Sequence, residues 1–490
     1  MQKRFPTSSS ISILQAMISL LAVIICPLLV STVPAPAPTS PPTRTFQKRD
    51  LASAFSSAVA ALPSDVFHHV LSGTLDLPGG GEVEKELGLN DTQVSQLPLS
   101  FLDIPTYGNW TGTVWNLRIH GAAYKQAMPS NDTLDSTANK FISNIPMSSY
   151  NQSMYDQSRN MSGAFYVIPQ GNVTLGIQGY INGTEVLNVT YPFMTTEVGE
   201  VEGLVQVNTS DLVKPGAGKL VPQLVQLYSN NTLLSNSTGY LVSDSGTTAI
   251  FDIDDILRFT QIYVPKAGLD NSFAYPFRPW DNMPEVLANW AKTDPTTHFH
   301  YLTTTPEQFT RIYMDFIFKY YPLGSFDIRP FNFTTVDQTF SIRRVNLIRV
   351  FETFPQRKFV LVADTSNSDV MQDYPEMATL FPGQVSCILL RNTSASDQDM
   401  KFPYNTTGFK NLDNSTYMFF RTAEDLQGID FWNGGCRNAS VPQNVTFEYQ
   451  QIPSAGDIKT ILGNGGTGVE VKVRVGALAL SILAGVLLLI

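Results

Sequence analysis

The stretch TTAIFDIDD, residues 247–255, sets the reading of this chain: a short apolar, β-branched run that stops abruptly on Asp252-Ile253-Asp254-Asp255. The same pattern repeats downstream. His298–Leu302 ends in Thr303-Thr304-Thr305-Pro306, Lys358–Ala363 ends in Asp364-Thr365, and Val385–Leu390 forms a fourth apolar run. Helix-like segments separate them: Pro284–Ala291, Glu307–Tyr321, the basic Ile342–Thr353, and one more before Val385. Strands alternating with helices predict a parallel α/β sheet. Such sheets gather ligands at the carboxyl ends of their strands. Asp252, Asp254, Thr303 and Asp364 are therefore expected as neighbours in space.

Two carboxylates spaced D-x-D at a strand end can divide labour, one attacking as nucleophile and the other exchanging protons. Asp364 and Asp369, with Asp252, suit a hard cation such as Mg²⁺, which binds through one or two carboxylates plus a phosphate. Thr303 can donate to a phosphoryl oxygen, and Arg343 can offset its charge. Each has a plainer explanation taken singly: an acidic turn, a polar strand end, a solvated Arg343-Arg344 helix face. Their order along successive strand ends is what argues for a phosphoryl site.

Working outward, residues 105–240 alternate apolar and polar over short runs broken by Asn, Gly and Ser. Thr113–Gly121, Ala164–Ile168, Val173–Ile181 and Leu220–Tyr228 are the clearest. With little helical period, this predicts a β-sandwich-like region at 61–240. The α/β catalytic domain is expected at 241–393 and a glycosylated extension at 394–460. Between Asp254 and the next helix only Leu257–Met283 has room for a lid. Three prolines there predict a short flap over an otherwise uncovered edge, which suits a phosphate carried on something large.

The two ends read as addresses. Lys3 and Arg4 precede the apolar run 11–30, giving a signal peptide over 1–33, with a membrane anchor as the rival. A propeptide or linker follows at 34–60, with Lys48-Arg49 as a dibasic processing site or a solvated linker. Residues 461–490 match a GPI-anchor signal, with Asn464 as the attachment site, an eight-residue polar spacer and a terminal apolar run of sixteen. Seventeen Asn-X-Ser/Thr sequons, from Asn90 to Asn444, fit the secretory pathway and the cell surface, with free secretion or a vacuole as alternatives. The 490-residue chain is 43% hydrophobic and 15% charged, with a net charge of -10, which excludes a disordered chain and a general nucleic-acid binder. Of three cysteines, Cys26 lies in the leader. Cys387 and Cys436 remain, and an oxidising compartment predicts their pairing.

FDIDDILRFT (251–260), HFHYLTTTPEQ (298–308), YPLGSFDIRP (321–330), TFPQRKFVLVADTSNSD (353–369) and FPGQVSCILLRNTS (381–394) carry a family resemblance. Over Gly239–Thr393 the chain resembles the catalytic domain of the actin-patch-associated phosphatidate phosphatases, as a secreted, fungal-type member. That family is a lipin-like branch of the haloacid dehalogenase (HAD) superfamily. The resemblance implies a HAD-like parallel sheet after a β-rich domain, and Mg²⁺-dependent conversion of phosphatidate, a phosphorylated lipid, to diacylglycerol. It implies Asp252 as the nucleophile that becomes an aspartyl-phosphate, and Asp254 as general acid/base with a backbone carbonyl toward Mg²⁺. Thr303 takes the second-motif position, Arg343 the third-motif basic position, usually Lys, and Asp364 and Asp369 the fourth-motif acids. Ile256 stands where Thr or Val is usual, and Ala363 and Ser366 replace two usual glycines. A weakly active surface binding protein is therefore an alternative.

Asp244-Ser245-Gly246-Thr247-Thr248, with Asp364-Thr365-Ser366, also reads like the two catalytic loops of a membrane-anchored, pepsin-like aspartic protease. Against that, the halves run in reversed order, and Ser366 replaces the Gly that lets the loop bend.

Overall fold

Among the described residues, short apolar runs ended by Asn, Gly and Pro become fifteen strands, which sort into an antiparallel-rich sheet and a parallel one. The computed structural model describes residues 80–142, 145–207, 221–230, 232–233, 235–262, 267–329, 336–396 and 406–443, all within one compact unit, Leu51–Ile490. The expected leader, linker and anchor signal with Asn464 lie outside the described residues.

The first sheet holds β1 (Leu99–Asp103), β2 (Thr106–Trp110), β3 (Trp115–Gln126), β4 (Val167–Pro169), β5 (Gly176–Ile181), β6 (Thr184–Thr190), β7 (Glu200–Val207), β8 (Gln223–Ser229) and β9 (Ser237–Val242). The strands form one continuous hydrogen-bonded sheet, in which twelve-residue β3 pairs with β1, β2, β4 and β7. All pairs are antiparallel except β2 with β9. β5 alternates strictly between buried and half-buried positions, as expected when one face lies on a core. That core includes Phe101, Trp115, Leu117, Val205 and Leu227. Asn182 and Gly183, both at positive φ (49° and 78°), close the β5–β6 hairpin, a turn only such residues adopt readily.

Two helices interrupt this region where the sequence predicts strands alone: α3 (Asn131–Phe141) and α4 (Gln152–Gly163). They follow two shorter ones, α1 (Gly80–Leu87) and α2 (Asp91–Gln96). Ser130 and Asn151 cap α3 and α4, their side chains accepting from the Thr133 and Met154 amides. Both helices are largely polar, and even the buried positions of α4 include Ser158 and Ser162, so their apolar period is faint.

The second sheet is parallel throughout, in the order β12-β11-β10-β13-β14-β15. Its strands are β10 (Thr247–Phe251), β11 (His298–Pro306), β12 (Ser325–Arg329), β13 (Lys358–Asp364), β14 (Val385–Arg391) and β15 (Tyr417–Phe420). Helices α5 (Met283–Thr293), α6 (Thr310–Tyr320), α7 (Val336–Thr353) and α8 (Ser368–Leu380) cover it. Every residue of β10, β11 and β12 is buried, the pattern of strands covered on both faces. One face packs Phe251, Leu287, Trp290, Phe420 and Phe431 together, and the other packs Ile250, Val350, Phe359, Met371 and Phe419.

β12 and β15 have no counterpart among the strands expected from sequence. β15 comes from the stretch expected as an extension: residues 406–443 pack on the sheet and supply its last strand. Cys387 of β14 and Cys436 form a disulfide, Cα–Cα 5.4 Å apart, that ties this stretch down.

The two sheets meet through polar contacts. Phe326 N–H donates to Pro105 O (2.8 Å), and Asn109 Nδ2 to Thr353 O (3.2 Å). Arg118 of β3 donates to Asp327 of β12 at 2.6 Å, with both side chains buried. Burial alone would raise Asp327's pKa, but Arg118, His300 and His120 hold it well below the usual carboxylate range.

Candidate active site

The chain runs outward from β10 to β11 and β12, then returns to the other side of β10 to lay down β13. The two sides diverge at the carboxyl end of β10, which is where open parallel sheets form a crevice. Asp252 follows Phe251 directly, and its N–H still donates to Val362 O of β13 (2.9 Å), fixing its carboxylate at that edge. Asp252 Oδ1 accepts from the Ile253 N–H at 2.9 Å.

Arg343 of α7 is fully buried beneath this carboxylate. Its Nη2 donates to Asp252 Oδ2 and its Nε to Asp369 Oδ2, both at 3.0 Å. A planar guanidinium suits this bridging role better than a point-charge ammonium. Burial pushes Asp252 up to about 6 even with Arg343 opposing the shift. Arg344, beside it in sequence, instead pairs with Glu376 of α8 near the surface (2.9 Å) and takes no part.

Asp254 is held by residues that sequence reading missed. Its Oδ1 accepts from Arg258 Nη1 (2.7 Å) and Thr260 Oγ1 (2.6 Å), and its Oδ2 from Tyr313 Oη (3.0 Å) and Thr305 Oγ1 (3.5 Å). Arg258 is itself fully buried, 3.6 Å over the Phe277 ring, and donates to Ser272 Oγ and Asn271 O. The i,i+4 spacing of Asp254 and Arg258 was a visible signal for this pair. Nothing local in the sequence points to Tyr313.

Asp255 shapes the loop. At φ 58° its carboxylate accepts from the Gln261 (2.6 Å) and Ile262 (2.9 Å) amides, while Arg391 donates to its carbonyl (2.6 Å). Thr303 is buried at the end of β11, its Oγ1 accepting from the Thr305 N–H at 3.1 Å.

Asp364 ends β13, and its two oxygens accept from Ser366, at 2.7 and 2.9 Å from Oγ and 2.8 Å from N–H. Burial, with repulsion from Asp255 and Asp252, pushes it up to about 7. Two buried carboxylates held up in pKa beside each other, and an all-oxygen donor set, fit a hard divalent cation. Among the described residues, no group of three or more carboxylate, histidine or cysteine side chains is close enough to hold a metal unaided. Asp369, expected as a ligand, has one oxygen on Arg343 and the other on the Val370 N–H (2.9 Å).

The short flap expected over Leu257–Met283 does not stand alone. Its turn 270–274 packs beneath α3 and α4: Phe273 stacks with Phe141 (4.5 Å) and Phe165 (6.1 Å), and Gln157 Nε2 donates to Ser272 O (2.8 Å). Cover on the Asp254 side of the edge therefore comes from the β-rich region.

Asp244 lies at the opposite edge. Thr247 is level with Lys358, and the seven-residue strand from there to Asp364 spans about 20 Å. Arg357 holds the Asp244 loop by donating to the Ser243 (2.7 Å) and Ser245 carbonyls. Two aspartates so far apart cannot share a water, so the aspartic-protease reading fails.

Residues 247–392 match the family described as phosphatidate phosphatase APP1, catalytic domain. The segment is also similar to the phosphatidate phosphatase APP1 of Saccharomyces cerevisiae, 27% identical over 169 residues. That match takes in 32% of this chain and 28% of the yeast protein, so well under two thirds of the relative is spanned. A solved 2,6-sialyltransferase from a Photobacterium species aligns at 12% identity over 54% of this chain and 45% of its own. Its TM-score of 0.17 is too low to bear on the fold.

Proposed function

We propose that this protein is a Mg²⁺-dependent phosphatase of HAD type that hydrolyses phosphatidate to diacylglycerol through an aspartyl-phosphate. The observation that carries the reading is Arg343, buried and bridging Asp252 to Asp369 at the crevice between β10 and β13. The family match over residues 247–392 supports it.

In this reading an Asp252 oxygen attacks phosphorus, the phosphoryl–alkoxide bond breaks, and Asp254 gives a proton to the leaving alcohol. Asp254 then takes a proton from water, which attacks the acyl phosphate and returns Asp252 with inorganic phosphate. Arg258, Thr260 and Tyr313 orient Asp254, and Thr303 donates to a phosphoryl oxygen. Asp252, Asp364 and the Asp254 carbonyl would hold Mg²⁺, with Asp369 nearby; when bound, it neutralises phosphate charge. Ser366 satisfies the Asp364 carboxylate where a glycine is usual, which keeps that acid in place.

The same reading puts the protein in the secretory pathway, on a membrane through the proposed anchor at Asn464. The disulfide supports an oxidising compartment. Among the described residues no helix is long and apolar enough to cross a membrane.

The test is phosphate release by the purified protein, with and without Mg²⁺, from phosphatidate vesicles beside a small sugar phosphate. Mg²⁺-dependent release favouring vesicles is expected. Preference for the sugar phosphate would remove the lipid assignment alone, and no release from either would remove the enzyme reading.

A further inference from the structure

At the amino ends of the parallel strands, away from Asp252, the C-terminal half of α5 and the turn 427–433 line an open cavity of about 580 Å³. Its position is set by Asp294 at the end of α5 and by Thr297, the residue before β11. Its far wall is tied to β14 by the Cys387–Cys436 disulfide, three residues beyond Asn433. The volume lies within the range of small-molecule sites.

Trp432 supplies an aromatic wall that is fixed in advance. Its Nε1 donates to Thr297 Oγ1 at 2.8 Å, its ring lies 4.0 Å from Phe431, and Phe431 meets Trp290 edge-on at 4.6 Å. A ring held this way loses little rotamer freedom when a ligand arrives. Beside it stand planar polar groups that are also oriented. Asp294 Oδ1 accepts from the Thr296 N–H (2.9 Å) and hydroxyl (2.6 Å), and Asp430 Oδ2 accepts from Asn433 Nδ2 (2.8 Å). Asn289 and Asn433 are exposed at the rim.

The charge of the lining selects among ligands. Two aspartates and no lysine or arginine line the cavity, so a phosphate, nucleotide or acidic lipid meets repulsion with no counter-charge. An acyl chain would cover the Asp294 and Asp430 carboxylates without replacing the water they hold. A pyranose ring matches both halves: its axial C–H face suits an indole, and its hydroxyls suit carboxylates and amides. We infer that this cavity binds a neutral oligosaccharide, on the side of the sheet opposite the crevice that holds Asp252. Sugar binding there leaves the phosphoryl site open, so the two can operate together.

The test is titration of the full chain with chitotriose, mannotriose and laminaritriose, read by tryptophan fluorescence and calorimetry. Glucose 6-phosphate and hexylamine serve as charged controls. Saturable binding of at least one trisaccharide is expected, with a shift in tryptophan emission and about tenfold weaker binding of either control. Trp432→Ala should weaken that binding by about tenfold or more at an unchanged melting temperature. If Trp432→Ala fails to fold, the rim variant Asn289→Ala should still weaken binding severalfold. No saturation by any trisaccharide at about 10 mM, binding indifferent to both variants, or preference for a charged control would each overturn the inference.

Discussion

Arg343 answers to two carboxylates at once, and its replacement separates charge from shape. Arg343→Lys keeps the charge but reaches one acid at a time, so phosphate release should fall partially. Arg343→Met leaves Asp252 and Asp369 without their shared donor, and the rate should drop about 10²- to 10³-fold, the scale for losing one preorganised charge donor. Equal loss in the two variants would show that bridging geometry, not charge, is what matters. Asp252→Asn should abolish release while the circular dichroism spectrum and melting curve stay unchanged, because an amide is nearly isosteric and cannot attack. Retained activity would move the nucleophile elsewhere. At this scale the placement of Asp252, Asp254, Thr303 and Asp364 at strand ends and of Arg343 on a helix was legible, because the order of those elements is plain in the sequence. Tyr313 and Arg391 were not, since they reach Asp254 and Asp255 across 59 and 136 residues and meet them only after the sheet has formed, whereas Arg258 stands four residues from Asp254 and was overlooked.

Among the elements, β11 carries an unusual load of buried histidine. His298 and His300 both contact Ser325 Oγ of β12 at 2.8 Å. Burial, with Arg357 and His300 nearby, holds His298 well below its usual 6.5. Its folded form stays neutral while the unfolded chain takes a proton below about pH 6.5, so its contribution to stability is lost as pH falls through that value. Asp252 and Asp364, with raised pKa values, act in the opposite sense, so the informative quantity is a difference. Relative to His298→Asn, the parent should lose up to about 1.4 kcal/mol per pH unit below pH 6.5. Parallel stability-versus-pH curves from denaturant midpoints would refute this. The disulfide acts on another element: opening a loop of 49 residues by Cys436→Ser should cost roughly 4 kcal/mol on a chain-entropy basis. A change below about 1 kcal/mol in urea titrations would mean that packing alone holds residues 406–443. α3 and α4 escaped the sequence reading because their polar residues mask the helical period, whereas β10 and β13 declared themselves as short apolar runs ending on aspartate.

For the molecule as a whole, the matched segment 247–392 is smaller than the body that folds. Its sheet takes β15 from beyond residue 392, and the turn at 270–274 takes cover from α3 and α4. A fragment spanning 241–393 should therefore be insoluble or dye-binding, with Phe273, Leu389 and Leu390 uncovered. A fragment spanning 80–443 should unfold in one cooperative transition. A monomeric, cooperatively melting 241–393 fragment would show that the flanking parts are ornaments. The order of the strands has a further consequence, in time. β10, β13, β14 and β15 lie side by side in the order in which a ribosome delivers them, and β15 is only four residues long. Until residue 420 has emerged, β14 presents a bare parallel edge, the kind of template that recruits a strand from a neighbouring chain. Cys436 arrives sixteen residues later to lock the place taken. Biogenesis in a reducing environment thus leaves the last seat in the sheet contested, and crowded nascent chains become competitors for it.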